Sequence, residues 1–333
     1  MTAKTERIAL WDNLKFFLIT MVAIGHIIDN FTYDSKFILG LFLFIYSFHM
    51  PAFIFVSGIF AKKTIRDRNV TKALPYLTMF FVSMLLYFLY GAIFEKAYVV
   101  SFFKMMSLPW FMFAIFAMYL ITMVTQKYKP AFILTISVLL ALVAGYSMED
   151  GNWFCWMRIV NFYPFFYMGY LLEPKKVEAV VCKKKVKITA IVLLVAIFCL
   201  YVRFGSRLDC FRSALFGALP YTRLGDYGQM GWLVRLVLYL ISFAIIFLLV
   251  AAVPTKKTVF SVLGERTLAI YATHNIVIKI FWHYVTKEQF LTVFSHGWQL
   301  VLIVIGILIT LLCSNRWFDK FFKWLMAYDW KLR

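Results

Sequence analysis

Residues 8–29 read IALWDNLKFFLITMVAIGHIID. Between Lys15 and His26 stand ten residues without a charge, Phe16 to Gly25. An α-helix rises 1.5 Å per residue, so about twenty apolar residues cross the roughly 30 Å of a bilayer's hydrocarbon. The stretch is long enough for that, and nine apolar runs of the same kind follow it. The expected spans are 8–29, 37–60, 75–94, 109–126, 130–148, 158–173, 188–204, 231–253, 267–286 and 298–315. The runs do not alternate with a period of two, as the strands of a membrane barrel would. Peptide groups cannot stay unpaired in lipid, so each run is expected to be helical. The expected fold is therefore an all-α, polytopic integral membrane protein with about ten transmembrane helices.

Composition agrees. Of 333 residues, 63% are hydrophobic, 20% aromatic and only 15% charged, and the mean hydropathy is +0.81. A soluble domain is nearer half apolar and a quarter charged. A formal net charge of +19 would suggest nucleic acid as partner for a soluble protein. Here the basic residues sit in short loops between apolar runs, so the expected partner is the bilayer and not nucleic acid. With the N-terminus in the cytoplasm, 23 of the 35 Lys and Arg fall on the inner side and nine on the outer; Lys15, Arg235 and Lys279 lie within spans. That bias predicts N-in, C-in topology in the cell's inner, cytoplasmic membrane. Met1 to Asn13 is polar and no small-residue cleavage pattern follows, so no cleavable signal peptide is expected.

The reading divides the chain into a membrane domain, 1–315, and a cytoplasmic tail, 316–333. The tail, RWFDKFFKWLMAYDWKLR, mixes Trp and Phe with Lys and Arg and predicts an amphipathic helix in the inner interface. The longest outer loop, about 204–230, carries five charged residues among glycines. It suits a polar loop facing a ligand as well as an ordinary solvated one. The five cysteines form no CxxC or metal-ligand spacing and read as packing residues; no metal is expected.

Ionisable residues inside a span are costly, which makes each a functional suspect. Lys15 and His26 are eleven residues apart, almost three full turns, so they share a helix face about 16 Å apart along the axis. Asp12 is three residues before Lys15, and Asp29 three after His26; each is within reach of its neighbour. The structural alternative has Lys15 snorkelling to the inner interface and His26 hydrogen-bonded near the outer one. In the second run, Ser47-Phe48-His49-Met50-Pro51 places a histidine near mid-membrane. Pro51 opens the helical ladder at Ser47, four residues back. A polar cavity there is one reading, and a kink histidine bonded to the freed carbonyl is the other.

These residues resemble a known family. Asp12-x-x-Lys15-x10-His26 is similar to the signature of membrane-bound acyltransferase family 3, a basic residue, ten residues and a histidine on the first helix. Ser47-Phe48-His49-Met50-Pro51 with Phe55-Val56-Ser57-Gly58 resembles that family's second helix, and the fucose 4-O-acetylase-like branch most closely. Pro109-Trp110-Phe111, Phe162-Tyr163-Pro164-Phe165-Phe166 and Leu263-Gly264-Glu265-Arg266-Thr267 follow in order. Lys15 stands where the family more often has Arg. Lys62 to Arg68 matches the Arg-rich cytoplasmic motif of some members only loosely.

The resemblance implies O-acylation across a membrane. An acyl group, usually acetyl, passes from cytoplasmic acyl-coenzyme A, a substrate and not a resident cofactor, to a hydroxyl of a glycan or other exported acceptor. Lys15 with Asp12, and Arg66 and Arg68, are the candidates to meet donor phosphates. Imidazole titrates near neutrality and suits a general base, so His26 is the expected base with Asp29 orienting it. His49 is a second base or an oxyanion donor. Trp110, Tyr271, His274 and Asn275 are candidates to line the cavity, whereas His283 and His296 read as structural. The chain has no Gly-x-Ser-x-Gly elbow for a serine acyl-enzyme. The competing class is a transporter or flippase of a glycan or lipid-linked precursor. Such a protein usually shows inverted repeats or carboxylates near mid-membrane. No repeat is visible, and the polar residues within spans are His and Lys, which favours the enzyme.

Overall fold

Peptide groups at bilayer depth have no water to bond, and the chain answers with helix nearly throughout. The computed structural model describes residues 8–95, 101, 103–105, 108–148 and 151–327. Its helices are α1 (Ala9–Ile28), α2 (Lys36–Arg66), α3 (Leu74–Phe94), α4 (Trp110–Thr125) and α5 (Pro130–Ala144). Next come α6 (Trp156–Leu171), α7 (Pro174–Val181), α8 (Lys184–Leu208), the single turn α9 (Arg212–Leu215) and α10 (Gly231–Ala252). The last are α11 (Val259–Gly264), α12 (Thr267–Tyr284), α13 (Lys287–Val293), α14 (Trp298–Cys313) and α15 (Arg316–Met326). Among the described residues there is no strand, only an isolated bridge between Lys104 and Trp153.

Each of the ten predicted runs falls on one of these helices. Five helical segments are long and apolar enough to cross a membrane: Ala9–Phe31, Lys36–Arg66, Val70–Phe94, Lys184–Leu215 and Tyr221–Ala252. α13 and α14 make a sixth only if taken as one span bent by 114°. α4 and α5 are apolar but have 16 and 15 residues, roughly 24 Å and short of the hydrocarbon thickness.

The predicted outer loop at 204–230 is largely wound up. α8 runs on to Leu208, α9 follows, and 3₁₀ turns occupy Tyr221–Met230. The anchor is Tyr221, buried with its hydroxyl donating to the Leu142 carbonyl at 3.1 Å and its backbone N–H to Gly145 at 2.6 Å. Arg235 lies buried beneath this segment, donating to the Ala214 carbonyl at 2.8 Å, and does not snorkel outward. In the tail, α15 turns Trp317, Phe321 and Trp324 outward and keeps Phe322 buried, packing against α12 and α3. Residues 328–333 of that predicted tail, and Met1–Arg7 of the predicted membrane domain, lie outside the described residues.

In lipid, apolar burial does little to bring helices together, so close packing of small residues has to do it. α2 and α6, the most extensively packed pair, show how. A Cβ at Gly58 would stand 2.0 Å from the Phe166 carbonyl oxygen, and one at Gly169 2.0 Å from that of Phe55. Each helix rests its backbone in the gap the other's glycine leaves. Pro51 lies inside α2 and cannot donate to the Ser47 carbonyl, but the Ser242 hydroxyl of α10 does so at 2.6 Å. The opened carbonyl is thus capped from a neighbouring helix, and His49 is not its partner.

Gly58→Ala is expected to cost about 3 kcal/mol by forcing α2 off α6. At Gly205 an added Cβ would meet its nearest atom at 3.4 Å, so Gly205→Ala should change stability by less than about 1 kcal/mol. Thermal unfolding of both variants in the same detergent measures the difference.

Candidate active site

Three helices present polar stripes to one space. On α1 the stripe is Lys15, Ile19, Val22, His26 and, just beyond its end, Asp29; α2, running the opposite way, adds Tyr46, His49, Phe53 and Phe60. α12 adds Thr267, Tyr271, Asn275 and Lys279. Steps of three and four residues keep each set on one helix face. The stripes enclose a cavity of about 590 Å³. Its far wall comes from the N-terminal ends of α4 and α6, through Trp110 and Arg158.

At the Lys15 end, the ammonium is ion-paired to Asp12 at 2.7 Å and lies 5.9 Å above the Phe60 ring. Asp12 is buried and is not among the cavity-lining residues. Next to it Asn13 clasps the segment that precedes α12. Its amide donates to the carbonyls of Pro254 at 2.8 Å and Lys256 at 3.0 Å. Its oxygen accepts from the hydroxyls of Thr258 and Ser261, both at 2.7 Å. Gly264 completes the contact, because a Cβ there would meet the Asp12 carbonyl at 1.9 Å. The loop carrying Lys256 and Lys257 is thereby fixed beside the start of α1. Arg66 and Arg68 are exposed and are not among the cavity-lining residues; Arg66 pairs with Asp67 at 3.6 Å. Lys62, about one turn before Arg66 on α2, is tied to Glu173 and the Leu171 carbonyl.

At mid-depth three imidazoles gather. The His49 Nδ1 lies 2.8 Å from the Ile45 carbonyl. A carbonyl only accepts, so the proton belongs on Nδ1, and in the neutral ring Nε2 carries a lone pair. The ring packs edge-on against Tyr46 at 4.7 Å. His26 makes no hydrogen bond among the described residues and is half-buried in the cavity wall. Behind it sits His274, fully buried and absent from the cavity lining, its ring centre 5.5 Å from that of His26. His274 was expected to line the cavity; α12 instead turns it toward α1. Asp29 lines the cavity but makes no hydrogen bond to His26 among the described residues; it lies within electrostatic reach of Arg212.

The opposite end is aromatic and basic. Trp110 stacks on Phe162 with ring centres 5.8 Å apart and 25° between planes, and the Arg158 guanidinium lies 4.9 Å over Trp110. Arg158 also donates to the Met105 carbonyl at 2.8 Å. Tyr271 donates to the Leu108 carbonyl at 2.7 Å, and Tyr87 to the Asn275 side-chain oxygen at 2.7 Å. Lys279 lies 5.0 Å over the Tyr90 ring, with Glu95 at 3.7 Å. Lys15, His26, His49, Asp29, Trp110, Tyr271 and Asn275 thus meet around one cavity. The sequence reading missed Arg158, Tyr46 and Tyr87. Arg158 begins the expected span 158–173, and a basic residue at the start of an apolar run was a signal for burial.

A chain of apolar helices around a cavity that holds cations, imidazoles and aromatic rings is a multi-pass membrane protein built for polar chemistry away from water. The model of acyltransferase family 3, described as an acyltransferase domain, matches residues 8–315. The chain belongs to that family and is a membrane acyltransferase. No curated protein and no solved structure matches it.

Asn13→Ala removes four hydrogen bonds and leaves two hydroxyls and two carbonyls short of a partner. A loss of about 3 kcal/mol is expected, read as a lower midpoint of thermal unfolding. Limited proteolysis should cut within 254–261 faster in the variant.

Proposed function

We propose that this protein is an O-acetyltransferase of the fucose 4-O-acetylase-like branch, carrying an acetyl group from cytoplasmic acetyl-coenzyme A to a hydroxyl of an extracytoplasmic glycan. The observation that supports this is the single cavity shared by Lys15 and His26. Their separation of about 16 Å along α1 is on the order of the length of an extended pantetheine arm at peptide-like dimensions. A donor whose phosphates meet Lys15 would present its thioester near the imidazoles.

In this reading His26 takes the proton of the acceptor hydroxyl as its oxygen attacks the thioester carbonyl. The C–S bond then breaks, and the thiolate leaves with that proton. His49, in the tautomer its bond to Ile45 imposes, is a second proton acceptor; an oxyanion role would require its charged form. Trp110, with Arg158 above it, offers the acceptor a flat apolar face, and Asn275 and Tyr271 supply polar edges. Arg66 and Arg68, exposed and outside the cavity lining, act on the donor before it enters. The chain crosses the inner membrane about ten times, with both termini in the cytoplasm and α15 lying in the inner interface.

With purified protein in detergent and acetyl-coenzyme A, His26→Ala should lose turnover by a factor on the order of 10²–10⁴, while His283→Ala keeps it. Full activity in His26→Ala would remove the base from this scheme. Lys15→Ala should raise KM for acetyl-coenzyme A roughly tenfold, about 1.4 kcal/mol of binding, with kcat little changed.

Topology has two native reporters, Cys182 after α7 and Cys210 after α8, both exposed. In whole cells, a membrane-impermeant maleimide should label a variant keeping only Cys210 and spare one keeping only Cys182. The reverse pattern would invert the topology.

A further inference from the structure

His274 is the one of the three imidazoles that cannot touch a substrate. It is fully buried and lies outside the cavity wall. Its Nδ1 is 2.8 Å from the Ile270 carbonyl and 3.1 Å from that of Tyr271. Both partners are acceptors, so Nδ1 carries the proton and Nε2 is left with a lone pair. That Nε2 is buried and has no hydrogen-bond partner among the described residues. A buried acceptor left unsatisfied is destabilising and calls for an explanation.

The ring beside it is that of His26. The two ring centres are 5.5 Å apart, with 34° between planes. Ring nitrogens sit roughly 1 Å from the centre, so nitrogens turned toward each other at this spacing would lie about 3 Å apart, a hydrogen-bond length. A turn of the His26 ring about its terminal torsion, a soft motion, can bring an N–H of His26 toward the vacant His274 Nε2.

We propose that His274 is a positioning residue for the acyl transfer: its Nε2 accepts a hydrogen bond from His26, fixing the His26 tautomer with its lone pair toward the cavity. The inference rests on His26 being the general base. The arrangement follows the orienting logic of a catalytic triad, with a neutral imidazole where a carboxylate commonly stands. A carboxylate held behind the base would be a buried charge at bilayer depth, and a neutral acceptor avoids that cost. When His26 takes the hydroxyl proton, the resulting imidazolium keeps its bond to His274, and no proton needs to leave the pair. The backbone carbonyls of Ile270 and Tyr271 in turn fix the orientation of His274, so the order runs from the α12 backbone to the reacting nitrogen.

The test uses the full chain in detergent, with acetyl-coenzyme A as donor, water as acceptor and thiol release as readout. His274→Phe keeps the ring shape without an acceptor; His274→Gln restores an acceptor near the place of Nε2. Expected are a fall in kcat of about 100-fold for Phe, an unchanged KM for acetyl-coenzyme A, and recovery to within about tenfold of wild type for Gln. Equal losses in Phe and Gln, or wild-type kcat in Phe, would overturn the pairing. A measurement on the unaltered protein needs no variant to fold: ¹⁵N spectra of labelled histidine should show His26 as a single neutral tautomer. A tautomer mixture there would overturn it too. His26→Ala is assayed alongside. Retained activity in that variant strikes at the base, whereas an inactive His26→Ala with a fully active His274→Phe strikes only at the pairing.

Discussion

A polar side chain at bilayer depth must find a protein partner or a cavity, because hydrocarbon offers it nothing. That constraint organises this molecule. Lys15 and His26 of α1, Tyr46 and His49 of α2, and Tyr271 and Lys279 of α12 line one cavity, and several polar groups at its edge have a named counterpart. Lys15 has Asp12, Asn275 has Tyr87, and Arg158 has the carbonyl of Met105 and the face of Trp110. The outer surface belongs instead to α3, α5, α8, α10 and α14, through residues such as Leu85, Leu140, Val192, Leu240 and Leu308. Once the polar groups are gathered inward, the apolar remainder faces lipid without further specification.

Around that space the helices are set by contacts that leave little freedom. Gly58 and Gly169 bring α2 and α6 to backbone contact, which fixes the wall carrying His49. Asn13 binds the start of α1 to the segment before α12 through both of its polar atoms. α1 and α12 therefore arrive as a unit, and it is this unit that holds His26 against His274. The cavity lies where the glycine-packed wall and the asparagine-held unit meet.

Much of this was legible in the chain. Apolar runs of twenty residues announced helices, and the eleven-residue spacing put Lys15 and His26 on one face. The proline at 51 correctly located an opened carbonyl at Ser47, but its partner, Ser242, lies 195 residues away, and no local pattern connects them. His274 illustrates the same boundary. Its helix position is plain from the sequence, but facing the cavity or facing α1 differs by a modest rotation of α12, which tertiary packing decides. Arg66 and Arg68 were read by analogy with a cytoplasmic motif; α2 instead carries on to Arg66, and both arginines end exposed, outside the cavity lining. The loop at 204–230 suited a ligand-facing loop and a solvated one alike, because glycine and charge are common to both; its winding depends on Tyr221 meeting Leu142, 79 residues away.

The hydroxyl that Ser242 lends to α2 decides whether the wall carrying His49 stands on its own. A proline inside a helix leaves the carbonyl four residues back without its backbone donor, and a bare carbonyl at bilayer depth is costly. Ser47 is buried and lies outside the cavity lining, so a guest in the cavity could not supply that donor. α10 supplies it instead, and the wall is complete before anything enters.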